Sequence, residues 1–229
     1  MELYGQKSKS IPQKIVIHII EIFFLWLSYW ILFSHGGDVV QDVIGIHIAD
    51  GDSARRIIIF TFNVVIFLRI AFSMFYLLKR KIPWAESIDV PFAFALYYVG
   101  FSLFVLPIPA PIGLLDFIAI LIFIIGCTIN TIGELLRDQW KKYPENKGKL
   151  YTKGLFKYSM HINYFGDLLW VIAYALITKN IYSITIPVFL FCFFVFYNIP
   201  KLDKYLFEKY GNQFIQYSKN TKRFIPFVY

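Results

Sequence analysis

The apolar run IVIHIIEIFFLWLSYWILFS, residues 15–34, decides the fold class of this chain. An α-helix needs about 20 mostly apolar residues to cross the hydrocarbon core of a bilayer. Five further apolar runs follow along the sequence, of which the fourth is short for a span: Ile57–Leu78, Val90–Leu106, Gly113–Ile132, Tyr164–Thr178 and Ile181–Ile199. We predict an all-α, multi-pass membrane bundle of about six transmembrane helices.

The composition supports the same class of protein. Of the 229 residues, 58% are hydrophobic and only 17% are charged, whereas soluble domains have about 45–50% apolar and about 25% charged residues. These values argue against a disordered chain, a nucleic-acid-binding protein and a secreted disulfide scaffold. Cys127 and Cys192 both lie inside apolar runs, so we interpret them as small buried hydrophobic residues.

The basic residues predict the orientation of the spans. With a cytoplasmic N-terminus, 19 of the 23 lysines and arginines fall in cytoplasmic segments. Outer loops then contain only Arg55, Arg56 and Lys179, while Arg69 falls within the second span. Because cytoplasmic loops carry an excess of Lys and Arg, both termini are predicted to be cytoplasmic.

The polarity of the sequence divides the chain at about residue 132. Residues 1–132 form an N-terminal membrane region with four spans, and residues 133–229 contain two spans and a cytoplasmic C-terminal helix. The abundance of Ile, Phe, Lys and Asn indicates an AT-rich bacterial source, so we place the protein in a bacterial cytoplasmic membrane.

Three polar residues interrupt the first two spans. Glu21 and Arg69 fall at similar depths, within roughly 5 Å of each other along the membrane normal, and His18 lies one turn from Glu21. Polar side chains in a membrane usually face the protein interior or a cavity. They form a structural ion pair or line a substrate cavity, and the sequence leaves both open. The acidic outer loop His35–Asp52 is predicted to be solvated.

The segment between the fourth and fifth spans is strongly basic. Residues 134–142 can continue the fourth helix into the cytoplasm until Pro144 stops it, which places Arg137 and Lys141 on one face. Lys157 and other lysines add further charge. Such a cluster suits either the phosphates of an anionic cofactor or the acidic lipids of the cytoplasmic leaflet.

A polar motif marks the point where the chain re-enters the membrane. The residues are HINYFGD, with His161, Asn163, Tyr164 and Asp167 close together. Asn163 and Asp167 are four residues apart, so both can face one pocket on a helix. Gly166 leaves room for the close approach of a ligand or another helix.

Two motifs in this order resemble the membrane reductases of the steroid 5α-reductase and sterol reductase superfamily, of the DUF1295 type. The first is GLF at residues 154–156, followed by HINY at 161–164 and GD at 166–167. The second comprises DKYL at 203–206, KYG at 209–211, Tyr217 and RFIPFVY at 223–229. The resemblance covers roughly residues 133–229.

The resemblance implies NADPH-dependent reduction of a carbon–carbon double bond in a lipid-soluble, isoprenoid- or steroid-like substrate. It implies a cofactor pocket in residues 133–229 that opens to the cytoplasm. Carried over by motif, the cofactor-binding residues are Asn163, Asp167, Arg137, Lys141 and Asp203. Met160 and Ile162 stand where the family has arginine and proline, and Lys157, one turn earlier, can replace the missing cation.

The expected chemistry needs a proton donor. Hydride addition to a conjugated double bond leaves negative charge on a carbonyl oxygen, which a tyrosine hydroxyl can stabilise and protonate. Tyr210 is the first candidate, Tyr164 and Tyr217 are others, and His161 is either catalytic or holds the cofactor amide.

A second enzyme class shares this architecture. Isoprenylcysteine carboxyl methyltransferases use S-adenosylmethionine and share the His-x-x-Tyr motif, although they usually lack the pair formed by Asn163 and Asp167. A non-catalytic membrane scaffold is a third hypothesis. The predicted partners are a lipid-soluble substrate and membrane lipids, with no nucleic acid and no obligate protein partner.

Overall fold

A computed structural model describes residues 6–45 and 51–229, and these residues form helices and connecting turns without β-strands. We number the helices along the chain: α1 (Ile11–Phe33), α2 (Gly36–Ile44), α3 (Ser53–Leu77), α4 (Glu86–Val105), α5 (Leu114–Lys142), α6 (Ile162–Thr178), α7 (Ile181–Tyr210) and α8 (Asn212–Asn220). The prediction of an all-α membrane bundle is confirmed. The prediction that both cysteines are buried is wrong, since Cys127 is half-buried and Cys192 is exposed.

Five of these helices, namely α1, α3, α4, α5 and α7, are long and apolar enough to cross a membrane. The chain is therefore that of an integral membrane protein. Helix α6 is apolar but has only 17 residues, so the count of six spans stays a prediction. The cytoplasmic placement of the termini stays a prediction as well.

Local sequence signals place the helix ends. Helix α5 continues beyond its apolar run to Lys142, as predicted, and Pro144 begins a short 3₁₀ turn. Gly211 separates α7 from α8 with a positive φ of 49°, a conformation that glycine adopts without a steric penalty. The segment predicted to be a solvated outer loop contains α2, and its residues 46–50 lie outside the described residues.

The chain divides into two compact units, and each is described by itself. The first comprises Met1–Leu121 and Val171–Ile186. Its interior contains fully buried apolar side chains and a chain of polar ones. The Asn63 amide donates to the Ser28 hydroxyl (2.8 Å) and accepts a hydrogen bond from the Tyr174 hydroxyl (2.9 Å). All three residues are buried, and mutual hydrogen bonding offsets the cost of removing them from solvent.

Arg55 differs most from its predicted position. The sequence placed it in an outer loop, but its side chain is fully buried and pairs with the equally buried Asp116. Its guanidinium also donates to the backbone carbonyls of Ala110, Pro111 and Ile177. A buried charge is tolerated only when it is paired and hydrogen-bonded in this way.

No hydrogen bond joins the Glu21 carboxyl to Arg69, although the sequence predicts an ion pair between them as one alternative. Glu21 is fully buried, and neither of its carboxyl oxygens accepts a hydrogen bond. Both residues are close enough to the buried Tyr98 hydroxyl to act on it electrostatically. The Nε2 atom of His18 is likewise buried without a hydrogen-bond partner. The choice between a structural pair and a cavity lining stays open.

The second unit comprises Ile122–Trp170 and Pro187–Tyr229. Within it, α5 and α6 approach closely at Gly126 and Gly166. A Cβ atom on Gly126 would lie 2.7 Å from the Gly166 carbonyl oxygen, and one on Gly166 would lie 2.7 Å from the Gly126 carbonyl oxygen. Of the two uses predicted for Gly166, the structure shows helix packing.

Candidate active site

His161 is the buried member of a hydrogen-bond network in the second unit that is centred on Asp203. Its Nε2 atom lies 2.8 Å from Oδ1 of Asp203, and the other Asp203 oxygen accepts a 2.8 Å hydrogen bond from Nε of Arg223. The His161 side chain is only 1% exposed. Burial alone would lower the pKa of the Arg223 guanidinium, but its hydrogen bond to Asp203 raises that pKa above the usual value.

This network joins three segments that are distant in sequence. His161 precedes α6, Asp203 lies on α7, and Arg223 follows α8. Backbone hydrogen bonds support the arrangement, since the Met160 and His161 amides donate to the carbonyls of Lys222 (2.8 Å) and Arg223 (3.2 Å). Asp203 was predicted to contact the cofactor directly. The structure shows that both of its oxygens bind protein groups.

Aromatic rings cover the face of His161. The Tyr164 ring is stacked on it with the ring centres 5.7 Å apart, and Phe194 is stacked on Tyr164 at 4.7 Å. Stacking and the contact with Asp203 together fix the orientation of the imidazole. The Nδ1 atom makes no hydrogen bond to any residue that the structure describes.

A polar stripe lies on one face of α5. Asn130, Glu134, Arg137 and Lys141 are spaced by four, three and four residues, so they project from the same side of the helix. The Asn130 amide donates to the Asn163 carbonyl oxygen (3.1 Å). Arg137 pairs with one Glu134 oxygen, and the other oxygen is buried without a hydrogen-bond partner.

Three cations converge at the end of this stripe. We define the cationic cluster as Arg137, Lys141 and Lys209. Arg137 and Lys209 are close enough to Lys141 to repel its ammonium charge. Lys141 forms no ion pair or hydrogen bond within the described part of the chain. Glu134 and Asp138 act on Lys141 with the opposite sign, and Asp138 pairs with Lys142. The cations still outnumber these acids, and a local excess of positive charge attracts anions.

Tyrosines surround this cluster. The Lys209 ammonium donates to the Tyr205 hydroxyl (2.9 Å) and lies 5.4 Å from the centre of the Tyr210 ring. The Tyr217 hydroxyl donates to the Phe156 carbonyl oxygen. Burial raises the pKa of the Tyr217 phenol, and burial also raises that of Tyr151. Both phenols are therefore neutral hydrogen-bond donors at pH 7.

The remaining predicted site residues are placed as follows. Asn163 is half-buried, and Asp167 accepts a 2.8 Å hydrogen bond from the Trp170 indole. Tyr210 packs against the buried cluster of Met160, Phe214 and Tyr217. Lys157 is exposed, and its ammonium lies over the Tyr158 ring at 4.6 Å. No contact places Lys157 with the cationic cluster, so its proposed replacement of the family arginine stays untested.

Sequence reasoning missed four residues of this region: Asn130, Glu134, Lys209 and Arg223. The spacing along α5 is a signal that could have identified Asn130 and Glu134. Lys209 and Arg223 lie within the second motif, but no local signal indicates what they contact, because their partners are distant in sequence.

The fold and these side chains define a helical integral membrane protein with a partly buried histidine–aspartate–arginine network and a cationic cluster. Residues 90–221 match a family described as "Protein of unknown function (DUF1295)". Since this match covers more than half of the chain, the protein belongs to that family. The resemblance inferred from the two motifs is thereby confirmed.

Curated relatives come from two kinds of enzyme. The chain is 37% identical over 86 residues to "Probable O-methyltransferase ustE" of Ustilaginoidea virens (37% of this chain, 30% of the relative). It is 30% identical over 110 residues to "3-oxo-5-alpha-steroid 4-dehydrogenase 2" of Rattus norvegicus (48% and 41%). It is 28% identical over 116 residues to "Protein-S-isoprenylcysteine O-methyltransferase B" of Arabidopsis thaliana (45% and 58%). The chain thus spans between 30% and 58% of these relatives' length.

Proposed function

We propose that this protein is a membrane enzyme that uses NADPH to reduce a carbon–carbon double bond in a lipid-soluble substrate. The observation that carries the proposal is the convergence of Arg137, Lys141 and Lys209 near the end of α5. The relatives named above support a membrane enzyme and leave two reaction classes open. The charge of the site supports the NADPH-dependent reductase.

Charge complementarity favours the dinucleotide. NADPH carries a diphosphate and a 2′-phosphate, so several negative charges need cationic partners. S-adenosylmethionine carries a sulfonium, an ammonium and a single carboxylate, so its net charge is positive. The cationic cluster attracts the first molecule and repels the second.

The residues present fit a dinucleotide in further respects. One Glu134 oxygen is buried without a hydrogen-bond partner. A ribose hydroxyl or an amide N–H of the cofactor would supply the missing donor. Asn163 and Asp167 are proposed to hold the nicotinamide end, where the cofactor supplies a hydride when bound. The neutral phenol of Tyr151 can donate to a phosphate oxygen.

Proton delivery is assigned to Tyr210, with Tyr164 as the second candidate. The neighbouring Lys209 ammonium stabilises negative charge on the Tyr210 oxygen as its proton leaves. His161 is proposed to hold the cofactor amide. The network with Asp203 and Arg223 fixes its ring, so that Nδ1 is available for that contact.

Ligand titration of the purified protein tests the proposal. NADPH, NADH and S-adenosylmethionine are titrated separately in detergent, with thermal stability and heat of binding as readouts. We expect saturable binding of NADPH, with a stabilisation of about 2.7 kcal/mol at 100 times its dissociation constant. Affinity should fall as salt rises, because exposed phosphate contacts are screened.

Matched lysine variants on one helix provide the control. Lys209→Ala should weaken NADPH binding by about tenfold, the equivalent of about 1.4 kcal/mol. Lys204→Ala, on the same helix, should leave it unchanged, since Lys204 is 79% exposed and lies 4.0 Å from Glu208. Saturable binding of S-adenosylmethionine without binding of NADPH would overturn the reductase and establish the methyltransferase.

A further inference from the structure

We infer that a short loop at residues 224–229 presents two apolar side chains to the headgroup region of an anionic lipid leaflet. The loop is closed by hydrogen bonds from the Phe224 amide to the Tyr229 carbonyl (2.7 Å) and from the Val228 amide to the Ile225 carbonyl (3.1 Å). Phe227 and Val228, which we call the apolar tip, lie at its apex and are 77% and 71% exposed.

The loop is anchored to the second unit and does not hang freely from it. Phe224 is fully buried, and its ring lies 5.9 Å from that of Phe191 and 6.1 Å from that of Phe194. The Ser159 hydroxyl donates to the Phe224 carbonyl (2.7 Å). The exposure of the tip therefore results from a fixed backbone, in which Phe227 has a positive φ of 66°. An L-residue adopts that conformation only where the surroundings impose it.

The position of the tip along the chain indicates a membrane interface. Its Phe227 ring lies 5.6 Å from the ring of Tyr158, which is four residues before the apolar helix α6 begins at Ile162. Tyrosines next to membrane helices are typical of the headgroup level. The tip is therefore at the depth where apolar and aromatic side chains insert between lipids.

Charge decides the kind of lipid. Lys157 lies over the same Tyr158 ring, and the exposed Lys222 pairs its backbone with Ser159 beside the loop. Lysines next to an inserted apolar side chain attract anionic headgroups. Two side chains are also too few for a stable protein partner, which needs roughly 800 Å² of contact surface on each side. A lipid leaflet is the occupant that fits both features.

A fluorescent label on Val228 tests this inference. The background carries Cys127→Ala and Cys192→Ala, and Val228→Cys is labelled with an environment-sensitive fluorophore. The protein is placed in nanodiscs that hold one copy each, made of phosphatidylcholine alone or mixed with phosphatidylglycerol, with a nitroxide quencher on the lipid chains. The matched control is Ser218→Cys on α8, which is also exposed.

We expect the label at position 228 to be quenched several-fold more than the label at 218, and most strongly with phosphatidylglycerol. The double variant Lys157→Gln, Lys222→Gln should reduce quenching to the level seen in phosphatidylcholine. Equal quenching at 228 and 218 would overturn the inference, and a label at Phe227→Cys repeats the measurement independently. Equal quenching in both lipids would refute the role of anionic lipid. The label at position 228 is also measured in concentrated detergent solution. If its environment becomes apolar only there and not in nanodiscs, the tip packs against a second copy of the chain and the inference is wrong.

Discussion

The buried pair of Arg55 and Asp116 permits a quantitative test of how the first unit is held together. We consider Arg55→Met, which keeps an unbranched apolar stem and removes the charged head, and Asp116→Asn, which keeps the shape. In the native protein the Arg55 fork binds both Asp116 oxygens. The Gly113 amide (2.8 Å) and the Lys179 ammonium (3.4 Å) also contact Asp116.

The magnitude follows from burial. Both side chains are 0% exposed, so water cannot replace a lost partner. Removing one member of a buried ion pair costs about 3–5 kcal/mol, because the other charge stays buried without its main partner. We expect each single variant to lose stability in this range. The double variant should lose less than the sum, with an interaction energy of about 1–3 kcal/mol.

Arg56→Met is the control, since it makes the same chemical change at the adjacent position. Arg56 is only half-buried, and its hydrogen bonds to the carbonyls of Leu106 and Leu32 are long, at 3.4 Å and 3.5 Å. We expect its removal to cost about 1 kcal/mol or less. The free energy of unfolding is measured for all variants in mixed micelles with increasing dodecyl sulfate.

Two results would refute this reasoning. If Arg55→Met and Arg56→Met lose the same stability, burial of the pair is not the decisive quantity. If the losses of Arg55→Met and Asp116→Asn add without an interaction energy, the two residues are not energetic partners.

Three further predictions concern stability in both units. Gly126→Ala should destabilise the protein by about 1–3 kcal/mol, since its Cβ would lie 2.7 Å from two backbone atoms of α6. Gly113→Ala is the control: its Cβ would have nothing within 4 Å, so it should be nearly neutral in the same unfolding assay. Above about pH 10 the unfolded chain releases the Tyr217 phenolic proton, which burial retains in the folded state. The unfolded state then binds fewer protons than the folded state, so the stability of the native protein falls as pH rises. Tyr217→Phe should abolish this part of the fall. Glu21→Gln should change stability by less than about 1 kcal/mol, because its carboxyl has no hydrogen bond to lose, whereas a loss of about 3–5 kcal/mol would support an ion pair with Arg69.

Much of the fold could be predicted from local sequence. The apolar runs predict the membrane helices because span length depends on consecutive hydrophobic residues. The extension of α5 to Lys142 and its end before Pro144 also follow from local rules, since proline cannot continue a helix. The motif around His161 also has its residues adjacent in sequence, so it predicts a candidate site there without knowledge of the fold.

The partners within the site could not be predicted in this way. Asp203 lies 42 residues from His161 and 20 residues from Arg223, and each lies on a different segment. Lys209 joins Lys141 although they belong to different helices. Hydropathy fixes the length of a membrane helix but only weakly its rotation and its neighbours, which depend on packing.

The sequence by itself determined that this is a helical membrane protein, and it predicts a candidate site in residues 133–229. Only the tertiary structure decided which charges are paired. It buried Arg55 against Asp116, although a position near the start of a span predicted an outer loop. It also used Gly166 for contact between helices. Helix formation responds to interactions a few residues apart, whereas the burial of a charge depends on which distant groups can compensate it.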